Sequence, residues 1–391
     1  MIFIEPYRTS HVDAYMYIYS EQTGIINMTQ GLKSRQISKG RNRVKLPKLV
    51  FMVDGVTKKA VHVESTIPVI VYGFVRHGDT CDGYLAIPVN MMSRKYVVPS
   101  FNVWKGRNLS KSLIGITSLG QTTTVIIKIR MPKGELTYNR KKYKNGDTIQ
   151  LKMSQYETVQ LSHVSDLSGS IVTSSYPVGV VSGNKCNSVT KATCNHFIEM
   201  ILPSDQLDNT YIVPIIQHRT NNTVRILCPD RASVTVWTDP YTTHEADLKE
   251  GYYFDFHHEN ISFISSSANV LVMAYPHEVS DGDSFMMTII GLHQYRSDYH
   301  FIVPEGFSSS VGITFIAGKG SEFELDQKIL KPTNIALLHV KGTTYATFSH
   351  VVTDGAHRIR HMSGIKFGLW VYGNKNHDGY GFPAGVEYKN G

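Results

Sequence analysis

One strand-like phrase occurs four times in the chain, and this repetition constrains the fold more than any other feature of the sequence. Each copy is a short apolar run that begins at a serine and ends on glycine or tyrosine. Recurrence at intervals of roughly 100 residues indicates a tandem array of similar units. The copies occupy residues 65–73, 175–183, 267–275 and 363–373, and the residues at the same point in each are Pro68, Pro177, Asn269 and Lys366.

Two further phrases follow in the same order. After each copy of the first phrase come a polar residue, one further residue and an aromatic residue. In three units an aromatic-apolar-apolar-proline run then follows, at residues 96–99, 211–214 and 301–304. Because the polar-aromatic pair recurs in every unit, we expect a turn that starts a strand and an aromatic in the core, rather than a calcium- or glycan-binding rim. The polar positions are Asp82, Asn195, Asp283 and Asp378.

Each unit is predicted to consist of β-strands. The apolar runs are short and are separated by turn residues such as Asn145-Gly146, and no helical period of 3.6 residues is sustained. Six to eight strands in about 100 residues predict an all-β fold of tandem β-sandwich-like units of about 90–110 residues. A β-propeller-like array is the alternative, although its blades are usually about 40–50 residues long. The predicted units are residues 1–85, 86–197, 198–285 and 286–391, the first of them truncated.

The start of the chain has no signal-peptide pattern, since a basic n-region and an apolar h-region are both missing. Only about 60 residues precede the first complete set of phrases, so we expect that Met1 lies inside a first unit and that the chain is N-terminally truncated. No uncharged apolar run reaches 18 residues, so no membrane-spanning helix is predicted.

The net charge of +8 is concentrated in two basic stretches. Residues 33–48 contain seven cations and no acid, and residues 128–144 contain seven cations and one acid. They predict either contact with acidic polymers such as sulfated or sialylated mucin glycans, or solvated faces that protect edge strands. No nucleic-acid recognition motif is present, so nucleic acid is not a predicted partner. The residues proposed for polyanion binding are Arg41, Arg43, Lys45, Arg140, Lys141 and Lys142.

Residues 166–186 and 194–203 resemble the signature of the IgG-Fc-binding protein N-terminal domain, and residues 82–88 and 367–383 are similar to it as well. The resemblance spans roughly residues 60–385. It implies an extracellular protein with a structural or adhesive role and no catalysis. The third unit departs from the pattern, because Asn269 replaces proline and no cysteine pair follows. Immunoglobulin binding is not carried over, since no residue motif for it is assigned.

The four cysteines are an even, low count, which by itself fits either a reducing or an oxidising compartment. Cys186 and Cys194 flank the loop after a central strand, and a bridge there would stabilise the fold by about 2–3 kcal/mol. Cys81 and Cys228 then either pair with each other or remain buried thiols. Secretion would also make four glycosylation sequons surface glycan sites. Their asparagines are Asn27, Asn108, Asn221 and Asn260.

No catalytic residue, metal site or cofactor is predicted. Gly282-Asp283-Ser284 is similar to a hydrolase box but occupies the repeated polar-aromatic position. Adjacent strand residues such as His257 and His258 face opposite sides, and His357 and His361 would lie about 13 Å apart. The leading hypothesis is a non-enzymatic extracellular module for mucus or matrix adhesion through protein or glycan contacts. A carbohydrate-active or hydrolytic enzyme on a β scaffold and an intracellular β-repeat scaffold remain as alternatives.

Overall fold

The computed structural model describes residues 1–7, 9–29, 32–77, 80–103, 110–191, 193–318 and 322–389, and confirms an all-β protein. The strands form several antiparallel sheets rather than propeller blades, and three short 3-10 helices lie at Lys48–Val50, Val89–Met91 and Leu292–Gln294. Among the described residues, no helix is long and apolar enough to cross a membrane. Contacts divide the chain into two compact units, Met1–Asp205 and Gln206–Gly391.

The N-terminal unit contains seventeen strands in the part of it that the structure describes. The strands at Gly40–Leu46, Thr122–Lys128 and Thr148–Ser154 alternate buried and more exposed residues, so that one face is buried. The strands at Thr80–Leu85, Ser112–Ser118 and Asn195–Met200 are buried along their whole length. The strands are β1 (Asp13–Ser20), β2 (Gly24–Met28), β3 (Arg35–Ile37), β4 (Gly40–Leu46), β5 (Gly55–Thr57), β6 (Val63–Ser65), β7 (Ile70–His77), β8 (Thr80–Leu85), β9 (Ser93–Val97), β10 (Ser112–Ser118), β11 (Thr122–Lys128), β12 (Leu136–Tyr138), β13 (Lys141–Tyr143), β14 (Thr148–Ser154), β15 (Thr158–His163), β16 (Ile171–Asn187) and β17 (Asn195–Met200).

The C-terminal unit contains sixteen strands among its described residues. The strands are β18 (Asp208–Val213), β19 (Asn222–Leu227), β20 (Ala232–Trp237), β21 (Thr243–Leu248), β22 (Tyr253–His258), β23 (Ser262–Pro276), β24 (Met287–Ile289), β25 (Asp298–Val303), β26 (Ser308–Ile316), β27 (Phe323–Leu325), β28 (Lys328–Leu330), β29 (Ala336–Val340), β30 (Thr343–Val352), β31 (Gly355–His361), β32 (Gly368–Lys375) and β33 (Asp378–Pro383).

One pattern of strand pairing occurs four times. In its first sheet, one central strand lies between two partners. The central strand is β1 between β4 and β7, β10 between β15 and β16, β19 between β22 and β23, and β26 between β30 and β32. The second sheet has the same arrangement. Its central strand is β2 between β3 and β6, β11 between β14 and β16, β20 between β21 and β23, and β27 between β28 and β31. We call these four sets the copies. Two copies fall in each compact unit, and the predicted boundaries near residues 85, 197 and 285 remain a prediction.

The recurring first phrase lies where the chain passes from one sheet of a copy to the other. β16 and β23 continue through both sheets, whereas the other two copies divide the same path into β6 and β7, and β31 and β32. Pro177 lies within the register shift of β16, between Thr173 and Val178. A proline has no N–H for the ladder, so it is tolerated at such an irregularity. A strand that changes sheets in this way joins the two layers of a sandwich.

A buried tyrosine fixes this crossing point in three of the copies. The hydroxyl of Tyr96 donates to the carbonyl of Val178 at 2.6 Å and accepts the amide hydrogen of Ser93 at 3.0 Å. Tyr211 bonds in the same way to Val270 and Asp208, and Tyr299 to Phe367 and Arg296. Each accepting carbonyl belongs to the residue that follows Pro177, Asn269 or Lys366.

The third of these tyrosines corrects the sequence alignment. The aromatic-to-proline phrase placed Phe301 in the position of Tyr96 and Tyr211. In the structure Tyr299 makes the equivalent bonds, because two additional residues separate it from Pro304. The phrase therefore identified the strand correctly and the residue incorrectly.

We expect Tyr96→Phe, Tyr211→Phe and Tyr299→Phe each to lower the free energy of unfolding by about 1–3 kcal/mol. The change leaves a buried amide and a buried carbonyl without their hydroxyl partner. Urea unfolding of the full chain measures the effect, and Tyr241→Phe is the matched control. Tyr241 is 95% exposed, so its change should stay within about 0.5 kcal/mol. Equal effects at buried and exposed tyrosines would contradict this role.

Candidate functional site

The repeated polar positions of the N-terminal unit join strand β8 to strand β17. The side-chain oxygen of Asn195 accepts hydrogen bonds from the Thr80 hydroxyl and the Cys81 amide, both at 2.9 Å. In the opposite direction, the Asp82 carboxylate accepts the Ile198 amide at 3.1 Å. Both polar side chains are completely buried. These contacts support the structural interpretation of the polar-aromatic phrase over a ligand-binding rim.

The equivalent positions of the C-terminal unit are also buried. Asp283 and Asp378 are 4% and 3% exposed, and a side chain at Gly379 would place its Cβ 2.2 Å from the Asp283 carbonyl. That close approach explains a glycine directly after Asp378 and leaves no space for a ligand between the two segments.

Arg219 is a buried connection that the sequence analysis missed. Its guanidinium donates to the carbonyls of His277 and Asp283 and to the side-chain oxygen of Asn374. Burial lowers the pKa of Arg219 to about 10, so the group remains protonated at neutral pH. Arg219 is a single loop residue outside the repeated phrases, so the sequence did not indicate its role. The role became evident only from its hydrogen bonds to three oxygen atoms that are distant in the sequence.

The predicted disulfide between Cys186 and Cys194 is formed, with Cα atoms 4.9 Å apart. It lies at the end of the β16–β17 hairpin, where the two strands approach so closely that only glycine fits at position 183. The suggested pairing of Cys81 with Cys228 is wrong in this structure. Each is a thiol buried in a different compact unit, and burial raises the pKa of Cys228 to about 11.

The first basic group lies on β4, at the edge of the sheet β4-β1-β7-β8. Arg41, Arg43 and Lys45 alternate with less exposed residues, so the three cations share one exposed face at intervals of about 7 Å. The guanidinium of Arg43 lies 5.2 Å from the ring centre of Tyr15, and the Lys45 ammonium is 2.6 Å from a carboxylate oxygen of Asp13. We call Arg41, Arg43 and Lys45 the basic ladder.

The second basic group lies on the β12–β13 hairpin, and its three side chains are exposed. Arg140 adopts a φ of 62° in the turn, and Lys141 and Lys142 begin the returning strand. Glu135 lies 2.9 Å from the Lys142 ammonium and also pairs with Lys144, so part of the charge of this group is neutralised.

The two compact units have opposite net charges. The N-terminal unit has 26 Lys and Arg against 13 Asp and Glu, whereas the C-terminal unit has 14 against 19. The formal charges are therefore +13 and −5. The overall value of +8 conceals this difference, which could be found only after the boundary at residue 205 was known. Of the two units, only the N-terminal one has a net positive charge.

The arrangement gives no support to catalysis. Ser284 is buried and donates to the Glu278 carboxylate at 2.9 Å, so its hydroxyl does not face solvent as a nucleophile. In the described ranges, no group of three or more His, Cys, Asp and Glu could hold a metal ion. His257 is exposed beside Glu259, whereas His258 is buried against Ser262 and Pro214, as strand alternation predicts.

The sequons fall on exposed positions where the structure describes them. Asn27, Asn221 and Asn260 are exposed, and Asn108 lies outside the described residues. The structure thus leaves the three described asparagines open to a glycan, and glycosylation remains a prediction.

Comparison with known proteins agrees with the resemblance read from the sequence. The family model described as "IgGFc binding protein" matches residues 82–373. The human "IgGFc-binding protein" is 27% identical over 197 residues, which cover 50% of this chain and 4% of that protein. The chain thus corresponds to a small fraction of this relative.

Solved structures add little. A match to the major pilin of Streptococcus pyogenes covers 97% of this chain and 94% of the pilin chain, with 7% sequence identity and a TM-score of 0.16. A match to the viral chemokine binding protein encoded by rodent gammaherpesvirus Peru covers 78% of this chain and 88% of the viral chain, with 9% sequence identity and a TM-score of 0.15. At these TM-scores neither structure supports an argument about the fold.

We expect stability to fall as the pH drops from about 6.5 to about 4. Burial lowers the pKa of His196 and of His258 to about 4, so the unfolded chain binds these protons first. The loss is at most about 3 kcal/mol for each histidine. Urea unfolding at several pH values measures it, and His196→Phe should reduce the pH dependence.

The exposed His244 provides the control, because His244→Gln should leave the pH dependence unchanged. An identical decline in wild type and His196→Phe would show that His196 does not contribute.

Proposed function

Because the chain belongs to the IgGFc binding protein family, we propose that it is an extracellular, non-enzymatic binding module of mucus or matrix that attaches to acidic glycans through its N-terminal unit. The disulfide between Cys186 and Cys194 supports an oxidising compartment. The basic ladder is the single observation that carries the choice of partner. Fc binding, which the relative's name states, is not proposed, since the match covers 4% of that protein.

The geometry of the basic ladder suits a linear polyanion. Three cations on one face of an edge strand repeat at about 7 Å, so a chain with regularly spaced sulfate or carboxylate groups can meet them in succession. The ladder lies in a unit of formal charge +13, which adds long-range attraction. The same lysine and arginine side chains also discourage pairing with other strand edges, and this protective role is compatible with binding.

The β12–β13 hairpin offers a weaker contact. Its cations occupy a turn and a short strand rather than one straight edge. Each group has an acidic neighbour, Glu135 beside Lys142 and Asp13 beside Lys45, so the regular spacing is what distinguishes the ladder. We therefore assign the main contact to the basic ladder and an auxiliary contact to Arg140, Lys141 and Lys142.

We expect the triple variant Arg41→Gln, Arg43→Gln, Lys45→Gln to weaken binding of the full chain to sulfated or sialylated glycans by about tenfold near physiological salt. Each exposed charge contact contributes roughly 0.2–1 kcal/mol, and the contacts act together. Elution from a heparin or sialylated-mucin column along a salt gradient gives the measurement. Wild-type affinity should fall steeply with salt.

The matched control removes three exposed cations of the C-terminal unit, with Lys328→Gln, Lys331→Gln and Lys366→Gln. It has the same change in net charge and should elute close to wild type. The proposal is contradicted if the ladder variant keeps its retention, and equally if the control loses as much. A variant with Arg140, Lys141 and Lys142 all changed to Gln should lose less than the ladder variant.

A further inference from the structure

The C-terminal unit contains a half-open cavity of about 220 Å³ that none of the features above explains. This volume lies below the roughly 300–1,000 Å³ of clefts for drug-sized ligands, so it suits one small ring rather than a chain. The lining combines Ile215 and Ile216 with polar residues and comes from four separate parts of the sequence. The polar residues used below are Gln217, His218, Thr220, Glu259, Asn334 and Ser349.

The wall of the cavity is a turn held in place from several sides. The amide of Arg219 donates to the carbonyl of Ile216 at 3.0 Å and closes the turn. The amide of Gln217 donates to the Tyr372 hydroxyl at 2.9 Å, and its side-chain oxygen accepts the Ser310 hydroxyl at 3.0 Å. A wall fixed in this way loses little conformational entropy when a ligand binds.

Two lining residues have left-handed backbones, which non-glycine side chains rarely adopt. His218 has a φ of 63° and Asn334 a φ of 52°. Histidine and asparagine are among the residues that tolerate this region. The uncommon conformation at both positions sets two exposed polar side chains at the edge of the same cavity. Unusual backbone geometry that gathers at a cleft is a reason to look for a ligand.

The chemistry of the lining selects the class of ligand. The Thr220 hydroxyl and the Asn334 amide both donate and accept hydrogen bonds, as sugar hydroxyls do. The Ser349 hydroxyl and the Gln217 side-chain oxygen already bond to protein groups, so they shape the wall rather than face the ligand. An anion is disfavoured, because the Arg219 guanidinium is buried and bonded to protein oxygens, and the unit has a charge of −5. An apolar ligand would cover the exposed Thr220 hydroxyl and Asn334 amide without replacing their hydrogen bonds to water.

We propose that this cavity binds a single neutral pyranose ring, such as a hexose or an N-acetylhexosamine. The sugar has two available sources, a glycan of a partner or the chain's own N-glycans. The sequon asparagines Asn221 and Asn260 are exposed and directly follow the lining residues Thr220 and Glu259. The site is separate from the basic ladder, so either can fail without the other.

Saturation-transfer NMR of the full chain with its glycans removed tests the site, with methyl glycosides of glucose, galactose, mannose, N-acetylglucosamine and N-acetylgalactosamine as probes. At least one should bind with a Kd of about 1 mM, which is ordinary for a single ring. His218→Gly with Asn334→Gly should weaken that binding at least tenfold. Glycine keeps the left-handed backbone and removes only the side chains, so folding should be preserved.

Asn139→Gly is the matched control, because Asn139 is also left-handed, with a φ of 47°, and lies outside the cavity. It should bind the sugar as wild type does. The site is overturned if none of the five glycosides binds the glycan-free chain, or if the double glycine variant binds as tightly as wild type.

Glycosylated protein distinguishes the two sources of sugar. If a glycan at Asn221 or Asn260 fills the cavity, free glycoside should bind only after Asn221→Gln and Asn260→Gln are introduced together. Binding by the fully glycosylated chain assigns the cavity to an external glycan. Either result supports a pyranose site.

Discussion

In three of the four copies, a buried tyrosine hydroxyl holds the chain where it passes between the two sheets. A β-sandwich needs a strand that serves both layers, and at the crossing the ladder is interrupted. There the hydroxyl of Tyr96, Tyr211 or Tyr299 accepts one main-chain amide and donates to one main-chain carbonyl. Two polar groups that would otherwise be buried without partners are satisfied by a single side chain.

Other buried polar residues connect distant segments within each unit. In the N-terminal unit Asp82 and Asn195 bond across β8 and β17, and in the C-terminal unit Arg219 reaches Asn374. These residues serve stability, and their burial removes them from contact with a partner. The proposed contacts use features at the surface instead, namely the basic ladder on an edge strand and the cavity beside an immobilised turn.

The sequence predicted what depends on local order and missed what depends on distant contact. The all-β fold and the bridge between Cys186 and Cys194 follow from short phrases and close spacing. Tyr299 was missed because two additional residues displaced the phrase. The sequence left open whether Cys81 and Cys228 pair, because elimination says nothing about which thiols meet; in the structure both are buried thiols. The cavity is lined by residues more than 100 positions apart in the sequence, so no local sequence pattern predicts it.

The charge difference between the units was hidden for a related reason. The composition gives only the net charge of the whole chain, whereas electrostatic attraction depends on the charge of each compact unit. The formal charges are +13 on one unit and −5 on the other, and this difference is the reason that the proposed acidic-glycan contact lies on the first. The proposed acidic-glycan contact and the proposed pyranose site follow this division.

Hydrogen–deuterium exchange of the full chain, resolved to single amides, tests most directly whether the tyrosine hydroxyls fix the crossings. The amides of Ser93, Asp208 and Arg296 each donate to a tyrosine hydroxyl. They should exchange as slowly as the central strands and much more slowly than exposed turn amides. Exchange of all three at the rate of exposed turns would contradict the account.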